Sequence, residues 1–276
     1  MTSSKVWFIT GTSSGFGRVW TEAALKRGDK VVATARNPKA LDELAAAYGD
    51  AILVLPLDVT DRDAVFDTVD KARRHFGRLD VVVSNAGYGY MGAIEELEVE
   101  QTKASFDTNV FGTLWVVQAV LPILRAQASG HIVTMSSVGG VIAFPTGGTY
   151  TATKFAVEAI SEALAAEVAP FGVKVTIVEP GHFTTGFRSA VQSAPAIDVY
   201  DPMRQAIRSS FKSADFGDPS ATAAAIFAAV DADEPPLRLV LGSTTIARFK
   251  AVYEARLSNW SRWEAVSIAA QGNDRA

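Results

Sequence analysis

Six short, β-branched apolar runs recur along the first two thirds of the chain: Val6 to Thr10, Val31 to Ala35, Ile52 to Leu55, Val81 to Ser84, Ile132 to Met135 and Val173 to Val178. Each is followed by a longer segment of helical period. Runs that are apolar at nearly every position suit strands buried on both faces, and the segments between them supply right-handed crossovers. The pattern predicts an α/β fold with a single Rossmann-like, doubly wound parallel sheet flanked by helices on both faces, and it places ligands at the strand C-termini. One helix is expected to start near Pro38 with Asn37 as its cap. Another should follow Thr60, with Asp61 and Asp63 in its first turn.

The 276 residues are 48% hydrophobic, enough for a sizeable core, and no Pro/Gly/Ser-rich linker divides them. One domain is expected over 1–276, with 1–185 as the cofactor-binding and catalytic core and 186–276 as substrate loop and C-terminal elements. The later part reads as loop-rich from Gly186 to Asp218. A helix near Ala221 to Val230, a strand at Leu237 to Leu241 and a C-terminal amphipathic helix should follow. Trp260 and Trp263, with Ile246, Phe249 and Tyr253, are expected to pack on the core, the alternative being a subunit contact. A formal charge of −4 with interspersed signs offers no basic stripe for a nucleic acid. The absence of cysteine rules out disulfide and thiolate chemistry and fits a reducing compartment, so a cytoplasmic location is expected. Val6 to Ile9 is too short for a signal peptide. Leu114 to Leu124, interrupted by Gln118 and Pro122, reads as a buried helix rather than a membrane span. His75, His131 and His182 lack metal-ligand spacing, so no metal is expected and His131 reads as structural. Glu95, Glu96 and Glu98 read as a solvated acidic face.

Where the first run passes into its helix stands Gly11-Thr12-Ser13-Ser14-Gly15-Phe16-Gly17, with the spacing G-x-x-x-G-x-G. Glycines there permit a tight turn and close approach of a pyrophosphate, and the N–H groups of the helix start can receive the anion. A nucleotide is expected in this loop. The second run ends in Arg36 rather than in an acidic residue that would bind a ribose 2′-hydroxyl. A guanidinium suits a 2′-phosphate, so NADP(H) is expected over NAD(H), the simpler reading being a solvated arginine. Asp58 could hold an adenine amino group or cap the next helix.

Ser137 lies just past the fifth run, and Tyr150 and Lys154 open the helix after it. Four-residue spacing puts Tyr150 and Lys154 on one helix face, one turn apart. A free phenol titrates near 10, and a neighbouring ammonium should lower it toward a working acid or base. Ser137 could share with Tyr150 the stabilisation of charge on a substrate oxygen.

From Lys5 to Thr185 these residues resemble, in unbroken order, the short-chain dehydrogenases/reductases. Thr10 to Gly17 resembles the family's T-G-x-x-x-G-x-G loop, Asp58-Val59 its adenine contact, Asn85-Ala86-Gly87 its N-A-G turn, and Tyr150 to Lys154 its Y-x-x-x-K. Ser84 departs from the usual N-N-A-G, and the glycine loop lacks the basic residue carried by many NADP-preferring members. The resemblance implies a catalytic set of Asn109, Ser137, Tyr150 and Lys154, in which Asn109 helps anchor a proton-relay water and Lys154 binds the nicotinamide ribose. It implies that Pro180 and Gly181 begin the loop flanking the nicotinamide, with Thr185 and the Phe183 backbone on the carboxamide. It also implies a homodimer or homotetramer through helices near Gln101 to Arg125 and Tyr150 to Ala169.

Beyond Gly186 the resemblance gives no substrate. Tyr88, Tyr90, Met91, Val138, Phe144, Pro145, His182, Phe187 and Arg188 are the candidates to wall it, and their largely apolar character points to a hydrophobic ketone, aldehyde or alcohol. The alternatives are an NADP-binding regulator and a dehydratase- or epimerase-like enzyme on the same fold.

Overall fold

The computed structural model describes residues 4–210 and 216–272. Seven parallel strands form the main sheet in the order β3-β2-β1-β4-β6-β7-β9. They are β1 (Val6–Thr10), β2 (Lys30–Ala35), β3 (Ile52–Pro56), β4 (Val81–Ser84), β6 (Gly130–Met135), β7 (Val173–Pro180) and β9 (Arg238–Leu241). The expected strands are all present, and the last joins the edge beside β7, pairing Val178 with Leu239. A separate ribbon pairs β5 (Tyr90–Met91) with β8 (Gln192–Ser193).

The alternation within β1 explains the layers. Trp7 and Ile9 face a core formed with Trp20, Ala24, Ile226 and Val230 from α1 (Gly15–Arg27) and α9 (Thr222–Asp231). Phe8 faces the opposite core with Val65, Val69, Val116, Val120 and Leu164. Those residues belong to α3 (Arg62–Phe76), α5 (Gly112–Gln127) and α6 (Gly148–Val168). Both faces of the strand are therefore dry, as its unbroken apolar run requires. Strand order reverses between β1 and β4, which opens a crevice over their C-terminal ends.

Helix starts differ in detail from the sequence expectation. Asn37 does accept from Lys39 N at 3.2 Å, but Pro38–Leu41 forms a tight 3-10 turn before α2 (Asp42–Tyr48). Asp61 is the cap of α3 rather than a first-turn residue, accepting from Ala64 N at 3.0 Å. The helix of 99–127 is long and apolar enough to cross a membrane by length and composition, yet half of its most apolar window is buried within the fold. It comprises α4 (Val99–Phe106), a widened π turn over Asp107–Phe111, and α5.

Three expectations for the later chain are corrected. The stretch from Gly186 carries α7 (Phe187–Ala190), β8 and α8 (Asp201–Ser210), because its side chains find partners that lie far away in sequence. Glu96 is one such partner: it is buried, accepting from Ala93 N and Ile197 N at 2.7 Å and from Arg204 Nη1 at 2.6 Å, so it is no solvated face. These bonds hold its carboxyl below the usual range, the Ile197 amide acting most. In the long α10 (Thr245–Ala269), Phe249 packs against Val138, Val141 and Ile142. Trp260 and Trp263, however, are 60% and 59% exposed, and Ile246 and Tyr253 are exposed as well. The helix outruns the body it was expected to cover.

Candidate active site

The loops after β1 and β4 are stapled together across the crevice. Thr10 Oγ1 accepts from Asn85 N at 2.9 Å and Ala86 N at 3.0 Å, while Asn85 Nδ2 donates to the carbonyls of Thr10 at 2.9 Å and Gly11 at 3.1 Å. No side chain fits between them. A Cβ on Gly11, whose φ is +69°, would lie 2.9 Å from Ala86 Cα, and one on Gly17 would overlap the Gly11 carbonyl oxygen. Above the loop the situation reverses: a Cβ on Gly15 would meet nothing nearer than Thr185 Cβ at 3.9 Å. The N-cap residue Ser14 makes no side-chain cap hydrogen bond, so the first-turn N–H groups of α1 face that open space uncapped. The cradle fits the pyrophosphate of a dinucleotide, with Ser13, Ser14, Gly15 and Phe16 at its rim.

Several expected cofactor residues are also held by contacts within the protein. Thr12 is buried beneath the loop, its N–H at 3.0 Å and its hydroxyl at 3.1 Å both donating to the Thr34 carbonyl. The Asn85 amide nitrogen supports the loop from below. Asp58 accepts from Thr60 N at 3.0 Å and Thr60 Oγ1 at 2.8 Å, closing a turn, and the capping alternative falls to Asp61. Val59 is buried under Gly112, where an added Cβ would come within 2.7 Å of it. Arg36 stands exposed just past β2. Burial raises the phenol of Tyr88, with Asp107 adding to it and Arg36 opposing.

The catalytic candidates converge from three elements. Asn109 sits in the π turn, a geometry that frequently marks functional sites. Its Nδ2 donates to Tyr88 O at 2.9 Å and Thr153 Oγ1 at 3.1 Å, and its Oδ1 accepts from Tyr88 N at 3.0 Å. Gly87 has no room for a side chain here, because a Cβ would lie 2.8 Å from Asn109 Oδ1 and 3.7 Å from Lys154 Nζ. Ser137 Oγ accepts from Gly139 N at 3.1 Å and lies close enough to the Tyr150 phenol to favour its ionised form. Lys154 Nζ donates to Met135 O at 2.8 Å and lies 5.9 Å from the Tyr150 ring centroid. Asn109, Ser137, Tyr150 and Lys154 are all buried.

Electrostatics here correct the expectation that Lys154 lowers the phenol. Burial pushes Tyr150 up to about 12, with the Ser137 hydroxyl pulling the other way. Burial likewise pushes Lys154 down to about 8, opposed by the charge of Glu158. At this distance desolvation outweighs the ammonium, and Tyr150 is a protonated phenol at neutral pH, ready to donate.

Around it the expected wall divides. Phe187 packs its ring on Tyr150, centroids 5.5 Å apart and tilted by 51°, and also covers Gly89. Tyr90 is buried, its hydroxyl accepting from Glu98 N at 3.1 Å, and Val138 packs with Phe249, so these two belong to the interior. Phe144 folds back on Gly147 at the start of α6, and Pro145 is exposed. Met91 lines a neighbouring cavity of ≈ 240 Å³ with Thr146, Ala194, Arg204 and Ile207. His182 turns to α10, where its ring meets Arg248 Nη1 at 3.3 Å. The side chain of Arg188 lies outside the described residues. The nicotinamide-side loop leaves β7 at Pro180. Gly181 N donates to Leu241 O at 2.9 Å, Phe183 stacks edge-on against Phe16 at 5.3 Å, and Thr185 Oγ1 accepts from Phe187 N at 3.3 Å.

Comparison with known proteins matches this arrangement. The family model of the short chain dehydrogenases covers residues 5–196. The chain belongs to that family. This short-chain dehydrogenase is 38% identical over 271 residues to the oxidoreductase BOA17 of Botryotinia fuckeliana, covering 96% of this chain and 99% of that one. A short-chain dehydrogenase from Streptomyces avermitilis superposes with a TM-score of 0.90 at 40% identity, over 98% of this chain and 99% of that one. A second, from Burkholderia phymatum in complex with NAD, gives 0.81 at 27% identity over 93% and 95%. The chain is thus an oxidoreductase of a family with nicotinamide-bound structural neighbours.

Sequence reading passed over several supports of the site in this dehydrogenase. Thr153, between Tyr150 and Lys154, holds the Asn109 amide. The Met135 carbonyl holds Lys154. Glu158, one turn beyond Lys154, carries a signal in its spacing, since a carboxylate at i+4 shares the lysine's face.

Proposed function

We propose that this short-chain dehydrogenase reduces a hydrophobic ketone or aldehyde to the alcohol with NADPH, Tyr150 acting as the proton donor. The observation that carries the reading is the buried Tyr150 phenol, beside the buried Ser137 and one helical turn from Lys154. NADPH held in this crevice would supply the hydride for the carbonyl carbon, becoming NADP+. Ser137 and Tyr150 hold the carbonyl oxygen, and the Tyr150 hydroxyl gives it a proton as negative charge grows there. Lys154 binds the ribose hydroxyls, and with Asn109 it restores the phenol's proton from solvent. Ser13, Ser14, Gly15 and Phe16 hold the pyrophosphate. Arg36 takes the 2′-phosphate, a preference supported by the lack of an acidic residue at the end of β2. Phe187, against the Tyr150 ring, supports an apolar substrate.

A cytoplasmic location is part of the same proposal, and the cysteine-free composition is compatible with it. A homodimer or homotetramer through 101–125 and 150–169 is supported by Phe111 and Phe155, both exposed there.

Nicotinamide absorbance with NADPH or NADH, over a panel of hydrophobic ketones and aldehydes, tests the reading. NADPH should be consumed in preference to NADH, and Tyr150→Phe should lower turnover by about two orders of magnitude or more with NADPH affinity kept. Retained turnover in that variant removes Tyr150 from the chemistry. Tight NADPH binding with no carbonyl reduced and no alcohol oxidised favours a regulator.

A further inference from the structure

Beneath Lys154 lies a second cluster of charge that the reaction outlined above does not use. Glu158, one turn further along α6, and Glu179, on β7, are both buried. Arg238, on β9, reaches between them: its Nη1 donates to Glu158 and, at 2.9 Å, to Glu179 Oε1, while its Nη2 donates to the exposed Glu162 at 2.9 Å. The other Glu158 oxygen, Oε1, is buried with no hydrogen-bond partner among the described residues, and so is Ser136 Oγ. Both border Gly140, where a Cβ would come within 3.0 Å of Glu158 Oε1 and overlap Ser136 Oγ. Two buried carboxyl groups thus share one nitrogen of a part-exposed guanidinium, and one oxygen of Glu158 is left without a hydrogen-bond partner among the described residues.

Two buried carboxylates on one cation cannot both ionise without mutual repulsion, which favours a proton kept on the pair. We propose that Glu158 is a positioning residue for Lys154: with Glu179 and Arg238 it forms a buried acid–carboxylate pair whose second ionisation sets the charge state of the lysine. The inference rests on the proposed role of Lys154 in the reductase site. While the proton is held, the pair and Arg238 sum to zero charge. When it leaves, a full negative charge appears one turn from the ammonium and opposes the desolvation that would strip it. The other groups at this cluster are Glu162 on α6, held by Arg238 Nη2, and Ser136 beside β6. Neither of these places a second carboxylate against Lys154. Consistent with this, burial raises the carboxyls of both Glu158 and Glu179, and Arg238 opposes it in each.

The test reads the lysine directly. In enzyme labelled with 13C at lysine Cε, the resonance lost in Lys154→Arg is followed against pH in wild type, Glu158→Gln, Glu179→Gln and Glu162→Gln. Wild type should show a main step as Lys154 titrates and a smaller one at lower pH as the pair ionises. Glu158→Gln should abolish the smaller step and lower the main one by about one pH unit, the usual size for loss of a neighbouring opposite charge. Glu179→Gln should move the smaller step to lower pH, because the like charge is gone. Glu162→Gln should move neither. A main step unmoved in Glu158→Gln overturns the inference. If that variant does not fold, an unmoved smaller step in Glu179→Gln overturns it instead. Loss of packing alone would not shift the two steps in these separate ways. Because the titration needs no substrate, a wild-type enzyme that reduces no carbonyl sinks the proposed function alone. An active enzyme whose Lys154 ignores Glu158 sinks this inference alone.

Discussion

The glycine loop and the chain beyond Gly186 both border the crevice, yet they are held in different ways. Around the loop, backbone meets backbone: Gly11 packs on Ala86, Gly17 on Gly11, and the amide of Asn85 grips two carbonyls from below. Beyond Gly186, long side chains hold the structure, with Arg204 reaching back to the buried Glu96 and Phe187 lying on Tyr150. A wall that binds a constant partner can be built from atoms that every substitution would displace. A wall that meets a particular substrate is built from side chains that can be exchanged, and its far end, the second half of α10, touches no core at all.

Substitutions can break or sharpen that contrast. The largest effect is expected from Gly17→Ala, whose methyl overlaps the Gly11 carbonyl oxygen and the Asn85 amide. It should cost ~1–3 kcal/mol in chemical denaturation and weaken NADPH tenfold or more by fluorescence titration. Gly186→Ala, with Ser14 Cβ as nearest neighbour at 3.9 Å, should change neither, and equal losses at both positions would erase the distinction. Next in size, Arg36→Ala should weaken NADPH about 10- to 100-fold, as loss of a charge-assisted hydrogen bond does, and leave NADH unchanged. Parallel loss for both cofactors would make Arg36 a general surface charge. Phe187→Ala should raise KM for an apolar carbonyl about tenfold while cofactor affinity holds, since only substrate contact is removed. A fall in NADPH affinity instead would move Phe187 to the cofactor side. Smallest of all, ending the chain after Arg256 should move Tm by no more than ~2 °C, because the residues removed are exposed throughout the described part of α10. A larger drop would show that the projecting helix is covered in the native protein.

Much of this was legible before any coordinates. Apolar runs with intervening helical segments determine a parallel sheet, because a strand with no polar face has to be covered on both sides. Gly11, Gly15 and Gly17 were legible as a phosphate cradle for a local reason, namely the turn they permit. Tyr150 and Lys154 share a face by helix arithmetic. The misreadings share a cause in long-range contact. Glu96 reads as solvated until Arg204, 108 positions later, meets it. Val138 and Tyr90 sit at loop edges in sequence and inside the protein in space. Trp260 and Trp263 follow a core-like stripe that reaches past the core.

The sequence by itself determined the strand pattern, the anion-binding loop and the identity of the Ser–Tyr–Lys group, since each depends on residues near one another along the chain. Tertiary structure alone decided which state those groups occupy. Burial from several elements keeps the Tyr150 phenol protonated and depresses the Lys154 ammonium. Strand β9, distant in sequence from α6, brings Arg238 to Glu158 of α6 and Glu179 of β7. Charge state depends on solvent exclusion and on neighbours in space, and neither is written in local spacing.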